Sequence, residues 1–140
     1  MNVDESEVVV IFKDGTGRYL YEEINPLYNK DSLKVNDEFG NRLSLLSQLN
    51  LIPGTSSKYY EVSFGNIYDN TKDQAAFNTE LCKKFIIRYR YNEIDTVQTC
   101  FKAKKTKCGS VFEYLKVYHK GQLLTTENNT TTGHITLIKP

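Results

Sequence analysis

Alternating apolar and polar side chains dominate the C-terminal half of the chain. Apolar or aromatic residues occupy every second position from Phe85 to Tyr91, which is the period of a half-buried β-strand. Asn92-Glu93 makes a tight reversal, and a partner strand follows over residues 94–101. Residues 111–118 alternate in the same way after a lysine-rich turn or edge at 102–107. The pattern predicts adjacent antiparallel strands.

Shorter strands are predicted in the N-terminal half. Val8–Phe12 is β-branched and aromatic, which suits a strand that is buried on both faces or nearly so. The turn Asp14-Gly15-Thr16-Gly17 follows it, because glycine supplies the positive φ that such turns need. Segments 32–35 and 42–45 predict a hairpin, and residues 60–64 a further strand.

Two segments break this pattern. Between residues 66 and 80, Asp73 is a candidate N-cap for one short helix that holds Ala75, Ala76 and Phe77, with a structured loop as the alternative. Residues 127–133 are polar, and we expect them to be mobile. Ile135 and Leu137 then predict a last strand that closes the sheet.

These elements predict an all-β fold. No segment shows a convincing run at helical spacing, and turn signals recur every 8–15 residues. We therefore predict an antiparallel, immunoglobulin-like β-sandwich of about seven strands with at most one short helix; a closed barrel is the alternative. Residues 1–7 are predicted to be an N-terminal tether and residues 8–140 a single β-sandwich domain.

Composition narrows the function classes. The chain has 140 residues, and its 18 Lys and Arg against 17 Asp and Glu give a net charge of +1. That balance argues against a strongly basic nucleic-acid binder, so no nucleic-acid partner is predicted. The longest apolar run, Val8–Phe12, is far shorter than the roughly 20 residues that span a bilayer.

The N-terminus and the cysteines bear on location. Residues 1–7 contain no basic region followed by an apolar one, so either the protein is cytoplasmic or a signal peptide has been removed. Cys82, Cys100 and Cys108 lack the spacing of a zinc site. All three are interpreted as small apolar fillers or reduced thiols, or two of them form a disulfide; which two is left open.

No residue pattern indicates catalysis, a cofactor or a metal. His119 and His134 lack the spacing of metal ligands, and exposed strand-end positions explain both. The Asp14–Gly17 turn lacks the Gly-Lys-Ser/Thr end of a phosphate-binding loop. We therefore predict no catalytic, cofactor-binding or metal-binding residues, and no enzyme.

Basic and aromatic residues are the remaining candidates for binding. The Lys102–Lys107 cluster, with Lys83, Lys84, Arg88 and Arg90, is interpreted as a solvated sheet face. Tyr89 and Tyr91 fall on the opposite face from the two arginines, which argues against nucleic-acid binding. Ten tyrosines and no tryptophan leave exposed tyrosines as a possible platform for sugar rings.

The order of several short motifs resembles small β-sandwich domains of uncharacterised Bacteroidota lipoproteins. The motifs are the Asn-Pro stretch Glu22–Asp31, the strand Leu33–Val35, the turn Gly40-Asn41, Asp95-Thr96-Val97, Cys108-Gly109, and Lys116–Gly121. Where such relatives often carry Asn before the last Gly, this chain has Lys120.

The resemblance implies an exported, immunoglobulin-like sandwich. Such a domain would be cleaved at a lipobox cysteine that this sequence lacks and tethered to the outer membrane by lipid, so it would be periplasmic or on the cell surface. The family has no catalytic motif to transfer. Asp31-Ser32-Leu33 and Asp95-Thr96-Val97 also resemble the acceptor of O-glycosylation in that phylum.

We therefore expect a non-enzymatic interaction or accessory domain of the cell envelope. Its partner would be an unknown protein or glycan at the cell surface, with contact to the membrane only through the lipid anchor. The alternative is a carbohydrate-binding module that uses exposed tyrosines. An exposed apolar or aromatic patch would favour the first function, and a deep polar pocket with convergent acids or histidines would favour an enzyme.

Overall fold

Two β-sheets make up the computed structural model, which describes residues 2–65 and 67–139. The strands are β1 (Glu7–Asp14), β2 (Lys34–Asp37), β3 (Leu45–Leu51), β4 (Lys58–Gly65), β5 (Leu81–Arg90), β6 (Glu93–Thr106), β7 (Gly109–His119), β8 (Gln122–Thr130) and β9 (Thr132–Lys139). A four-stranded sheet has the order β3-β4-β1-β9, and a five-stranded sheet the order β2-β5-β6-β7-β8. The prediction of an all-β sandwich is confirmed.

The described residues form nine strands instead of about seven, and one of their strand pairs is parallel. β1 pairs with β9 in the same direction from Glu7 opposite Thr132 to Asp14 opposite Lys139. β9 follows β8, which lies in the other sheet. The chain therefore crosses from one sheet to the other between β8 and β9, and this places β9 parallel to β1. Alternation along one strand cannot reveal the direction of its partner.

The polar segment 127–133 lies largely in strands, contrary to the expectation of a mobile segment. β8 extends to Thr130, and β9 begins at Thr132. β8 is the edge strand of its sheet, and most of its side chains are at least partly exposed. Polar side chains suit such an edge because no second layer covers them.

The predicted hairpin of residues 32–35 and 42–45 is present only in a short form. Arg42 forms an isolated antiparallel bridge with Asn36, and the backbone N–H of Leu43 donates to the carbonyl of Val35, but no strand forms at residues 42–44. The chain then crosses to the other sheet, where β3 pairs with β4. β3 ends at Leu51, and β4 begins at Lys58.

Inward-facing residues of both sheets form one hydrophobic core. The predicted alternation holds for Phe85, Ile87 and Tyr89, which are buried, but Tyr91 is 83% exposed. Tyr91 has φ 45° and lies in the β5–β6 turn, so the strand alternation ends before it. The most deeply buried large side chains are Tyr21, Tyr89, Phe64, Phe85, Phe101, Phe112, Leu20, Ile67, Ile87, Leu115 and Leu137.

Helical structure is limited to short 3₁₀ helices in the described residues. They span Val3–Glu5, Lys30–Ser32 and Gln74–Phe77, against a prediction of at most one short helix. Asp73 precedes the third, but its side chain makes no cap hydrogen bond there. Its Oδ2 accepts the backbone N–H of Asp69 instead, at 2.7 Å.

Part of the predicted N-terminal tether packs against the sandwich. Met1 lies outside the described residues. Val3 is 2% exposed and belongs to the hydrophobic core, and its backbone N–H donates to Ser110 Oγ. Ser6 Oγ accepts the backbone N–H of Tyr68. Residues 3–6 are therefore part of the packed domain. No helix within residues 2–65 and 67–139 has the length and apolar character needed to cross a membrane.

Candidate functional site

A disulfide joins two neighbouring strands of the five-stranded sheet. Cys82 on β5 and Cys100 on β6 are direct register partners, with Cα atoms 4.1 Å apart. Cys108 is exposed in the β6–β7 turn. The structure thus selects one of the pairings that the sequence left open. Disulfides persist in oxidising compartments and are rare in the cytosol of mesophiles.

The outer face of the five-stranded sheet collects basic and aromatic side chains from three adjacent strands. Because Phe85 and Ile87 on β5, Val97 and Thr99 on β6, and Leu115 on β7 are buried, the residues between them point outward. We call this surface the basic face and define it by Lys84, Arg88, Gln98, Lys102, Tyr114, Lys116 and Tyr118.

Cross-strand register arranges the basic face in rows. Lys84, Gln98 and Tyr118 are register partners and form one row across β5, β6 and β7. Lys102 and Tyr114 form another row. With strands about 4.8 Å apart and about 3.4 Å per residue, the four cations have Cα separations of roughly 8 Å or more. The charges are thus spread over a surface and do not converge on one point.

The four cations of the basic face form no salt bridge in the described part of the chain. Salt bridges occupy other cations, among them Lys83 with Asp73, and Arg90 and Lys139 with Glu93. Arg88 donates to the backbone carbonyl of Tyr91. Uncompensated charges on one face create a positive potential there although the whole chain is nearly neutral.

Both tyrosines on this face are partly exposed, and they differ in their contacts. The Tyr114 hydroxyl donates to Glu80 Oε1 at 2.9 Å, and Lys116 Nζ lies 5.0 Å from the centre of its ring. This hydrogen bond raises the pKa of Tyr114, second to the effect of desolvation. Tyr118 lines a shallow depression of about 450 Å³ together with Lys84, Gln98 and other residues.

That depression offers polar groups of several kinds. Besides Lys84, Gln98 and Tyr118, it is lined by Ile94, Asp95, Thr96, Lys120 and Gly121. The Asp95 carboxylate is engaged with Tyr89 and His119, so the ionic groups that remain are ammonium groups. Ammonium, amide and hydroxyl groups together suit a ligand that carries both negative charge and hydroxyl groups.

A larger groove, of about 710 Å³, lies along the first residues of β5. Its walls come from the turn at 37–41 and the loop at 68–73. The charges in these walls are largely engaged within the protein. Lys83 pairs with Asp73, the Asp37 carboxylate accepts backbone N–H groups of its own turn, and the Asp69 carboxylate accepts those of Thr71.

Hydrogen bonds and a salt bridge identify three acids of this groove, Asp37, Asp69 and Asp73, as structural groups. Hydrogen bonds from Thr71 and the nearby ammonium of Lys72 keep the pKa of Asp69 below its usual value. The Tyr68 hydroxyl is buried without a hydrogen-bond partner in the described residues, and burial raises its pKa. Because that oxygen is not accessible from the groove, it offers no contact to a ligand.

His119 lies in a buried polar cluster, contrary to the interpretation that both histidines are exposed. Its Nε2 is 2.6 Å from Asp95 Oδ2, which also accepts the Tyr89 hydroxyl at 3.0 Å. Burial, and then the Asp95 charge, raises the pKa of Tyr89. A histidine–carboxylate pair is capable of proton transfer, but among the described residues no nucleophilic side chain bonds to His119.

The other candidates from the sequence lie apart from one another. His134 is exposed on β9 and contacts Glu127 on β8, so it does not share a site with His119. Glu80, Cys82 and Cys100 have potential ligand atoms within 4.8 Å of one another, but both sulfurs belong to the disulfide. Thiolates, the form that binds metals, are therefore not available there.

The predicted turn and glycosylation motifs also have defined positions. Asp14 Oδ1 accepts the backbone N–H groups of Thr16 and Arg18, which makes Asp14–Gly17 a structural turn. The Thr16 hydroxyl, which donates to the same oxygen, and then these backbone hydrogen bonds hold the pKa of Asp14 below its usual value. Thr96 is exposed on the outer face of β6, while Ser32 ends a 3₁₀ helix and is half-buried.

The structure both splits and extends the basic cluster predicted from the sequence. Lys83 points to Asp73, away from Lys84, and Lys105 lies near the ring of Phe77. Sequence reasoning did not connect Lys116 and Tyr118 with this cluster. The alternation of β7 was visible, but only the register of β7 on β6 places its outward residues beside Gln98 and Lys102.

Comparisons of the chain with protein-family models, with curated proteins and with solved structures find no match. The resemblance to Bacteroidota lipoprotein domains therefore stays a prediction.

Proposed function

We propose that this protein is a non-enzymatic binding domain exported to the cell envelope and that it contacts its ligand through the basic face. The observation that carries the proposal is the set of outward cations on three adjacent strands that lack carboxylate partners within the described residues. Such a surface attracts a complementary partner and orients it.

Export is supported by the Cys82–Cys100 disulfide. The pair lies across a sheet whose backbone register already holds the two residues together. A bond of this kind forms and persists in the periplasm or outside the cell. The resemblance to lipoprotein domains also supports a location in the cell envelope. In such proteins a lipid anchor makes the contact with the membrane.

The experiment is co-sedimentation of the purified chain with washed bacterial cell envelopes. We expect the wild-type protein to sediment with the envelopes and a Lys84→Glu/Lys116→Glu variant to stay in solution. Lys13→Glu/Lys58→Glu is the matched control, since it makes the same charge change on the four-stranded sheet. Equal sedimentation of both variants, or none of the wild type, would exclude this use of the basic face.

Carbohydrate binding is the second candidate function, and one observation favours it. Tyr118 stands in a row with Gln98 and Lys84 in a depression that also contains Thr96. A tyrosine ring beside amide and hydroxyl groups is a common arrangement for contact with sugars, because the ring covers the apolar side of the sugar while the polar groups bind its hydroxyls.

A further inference from the structure

The basic face has properties that narrow the chemistry of its ligand. We infer that it binds an anionic polysaccharide, a chain of sugars that carries repeated carboxylate or sulfate groups. This inference rests on the proposed function, and it adds the class of ligand.

The charge of the basic face is the first argument for an anionic ligand. Lys84, Arg88, Lys102 and Lys116 point outward from one sheet and form no salt bridge within the described residues. One acid, Glu80, lies on the same face, where it accepts the Tyr114 hydroxyl and lies within 4.8 Å of the Cys82 and Cys100 sulfurs. A neutral ligand would leave the ammonium groups without compensation. A ligand with negative charges would release their counterions and gain favourable electrostatic interactions.

The spacing of these charges is the second argument, and it favours a linear chain over a small anion. Lys116 and Lys102 are one strand and two residues apart, about 8 Å between Cα atoms, and Lys84 and Arg88 are four residues apart on β5, about 14 Å. A single small anion needs donors that converge on it. Cations spread over a flat surface suit a linear chain with charges at intervals.

The uncharged polar groups of the basic face are the third argument, and they favour a sugar chain over a nucleic acid. Gln98, Thr96 and the Tyr118 hydroxyl lie between the cations and match the hydroxyl groups of a polysaccharide. Single-stranded nucleic acid needs open aromatic faces for stacking. Tyr114 is held by Glu80 and lies close to Lys116, and Tyr91 is in a turn outside this face, so Tyr118 is a single open ring here and not one of a series on which successive bases could stack.

The test measures binding of the purified chain to defined probes by isothermal titration or affinity electrophoresis. The probes are polygalacturonate for carboxylates, heparin for sulfates, dextran as the neutral polysaccharide, oligo-dT as the nucleic acid, and phosphatidylglycerol vesicles as the anionic membrane. We expect binding to polygalacturonate, heparin or both, weakened by added salt, and no binding to dextran.

Variants connect the binding to the basic face. Lys84→Gln/Lys116→Gln should weaken binding by about tenfold or more, which corresponds to the loss of two modest charge contacts. Tyr118→Ala should also weaken it, while Lys13→Gln/Lys58→Gln should change it less than about twofold. Thermal unfolding of each variant establishes that the fold is retained.

Each other outcome overturns the inference. Binding to oligo-dT or to vesicles but to neither anionic polysaccharide, equal binding to dextran, no binding to any probe, or binding unaffected by Lys84→Gln/Lys116→Gln would each exclude the inferred ligand. If envelope co-sedimentation still depends on Lys84 and Lys116 in that case, the proposed function stands and only the class of ligand fails. If both experiments fail, the proposed function fails as well.

Discussion

Reduction of the Cys82–Cys100 disulfide should destabilise the fold by an amount that follows from its position. The two cysteines are separated by 18 residues and lie opposite each other in the β5–β6 pair. The β-ladder holds them together in the folded state with or without the bond, so the bond acts mainly on the unfolded chain. Closing a loop of this length removes conformational entropy worth about 3 kcal/mol at 25 °C.

The assay is urea unfolding of the same protein with and without a phosphine reductant. A Cys108→Ser background keeps the third sulfur out of thiol exchange. We expect the reduced protein to lose about 3 kcal/mol in the free energy of unfolding, which corresponds to a decrease in Tm of roughly 10 °C for a domain of this size. The slope with urea should increase slightly, because the reduced unfolded chain exposes more surface.

Alkylation followed by mass spectrometry checks the bond itself. Under denaturing conditions, two more cysteines, Cys82 and Cys100, should be alkylated after reduction than before it. A loss of less than about 1 kcal/mol with the bond confirmed in this way would refute the argument, since it would mean that the unfolded chain keeps this hairpin without the crosslink.

Three further predictions concern the core, the buried tyrosines and a turn. Phe101→Ala should cost about 3–5 kcal/mol in urea unfolding because Phe101 is fully buried, while Phe39→Ala, at a ring that is 79% exposed, should change stability by less than about 0.5 kcal/mol. Burial raises the pKa of Tyr21 and Tyr89 in the folded protein above the value of 10.0 in the unfolded chain, so these tyrosines lose their protons at lower pH when the chain is unfolded. Their contribution to the free energy of unfolding is therefore fully present below pH 10.0 and falls above it by about 1.4 kcal/mol per pH unit for each tyrosine. Tyr89→Phe should make this alkaline loss shallower, and an unchanged slope in unfolding experiments above pH 10 would contradict the assignment. Lys120→Asn should stabilise the protein by about 0.5–1 kcal/mol in thermal unfolding, because residue 120 has φ 52° and Asn tolerates the left-handed region better than Lys; a lower Tm would contradict this.

The buried strands were predictable because their side chains report burial directly. Phe85, Ile87 and Tyr89 occupy every second position, and a strand with one face in the core buries every second side chain, so the pattern identifies the buried residues without knowledge of the neighbouring strands. The polar end of the edge strand β8, residues 127–130, was not predicted, because polar side chains satisfy an edge as well as a loop. The sequence also predicted Val8–Phe12 as a strand buried on both faces or nearly so, but Val9 and Ile11 are only half-buried because they point to the outer face of the four-stranded sheet.

The candidate site was predictable only in its components. Lys84, Arg88 and Lys102 were visible as a basic cluster, and the tyrosines as possible sugar contacts. The row that joins Lys84 with Tyr118 depends on two strand registers, and these register partners are 34 residues apart in the sequence.

The sequence by itself determined the all-β class and most of the buried residues, because both follow from local alternation and turn chemistry. The tertiary structure decided which strands are neighbours, and in which direction and register they pair. It thereby selected the cysteines that form the disulfide, buried His119 against Asp95, and placed four cations and two tyrosines on one face. These are contacts between residues distant along the chain, which depend on how the two sheets are assembled and not on the preferences of any one segment.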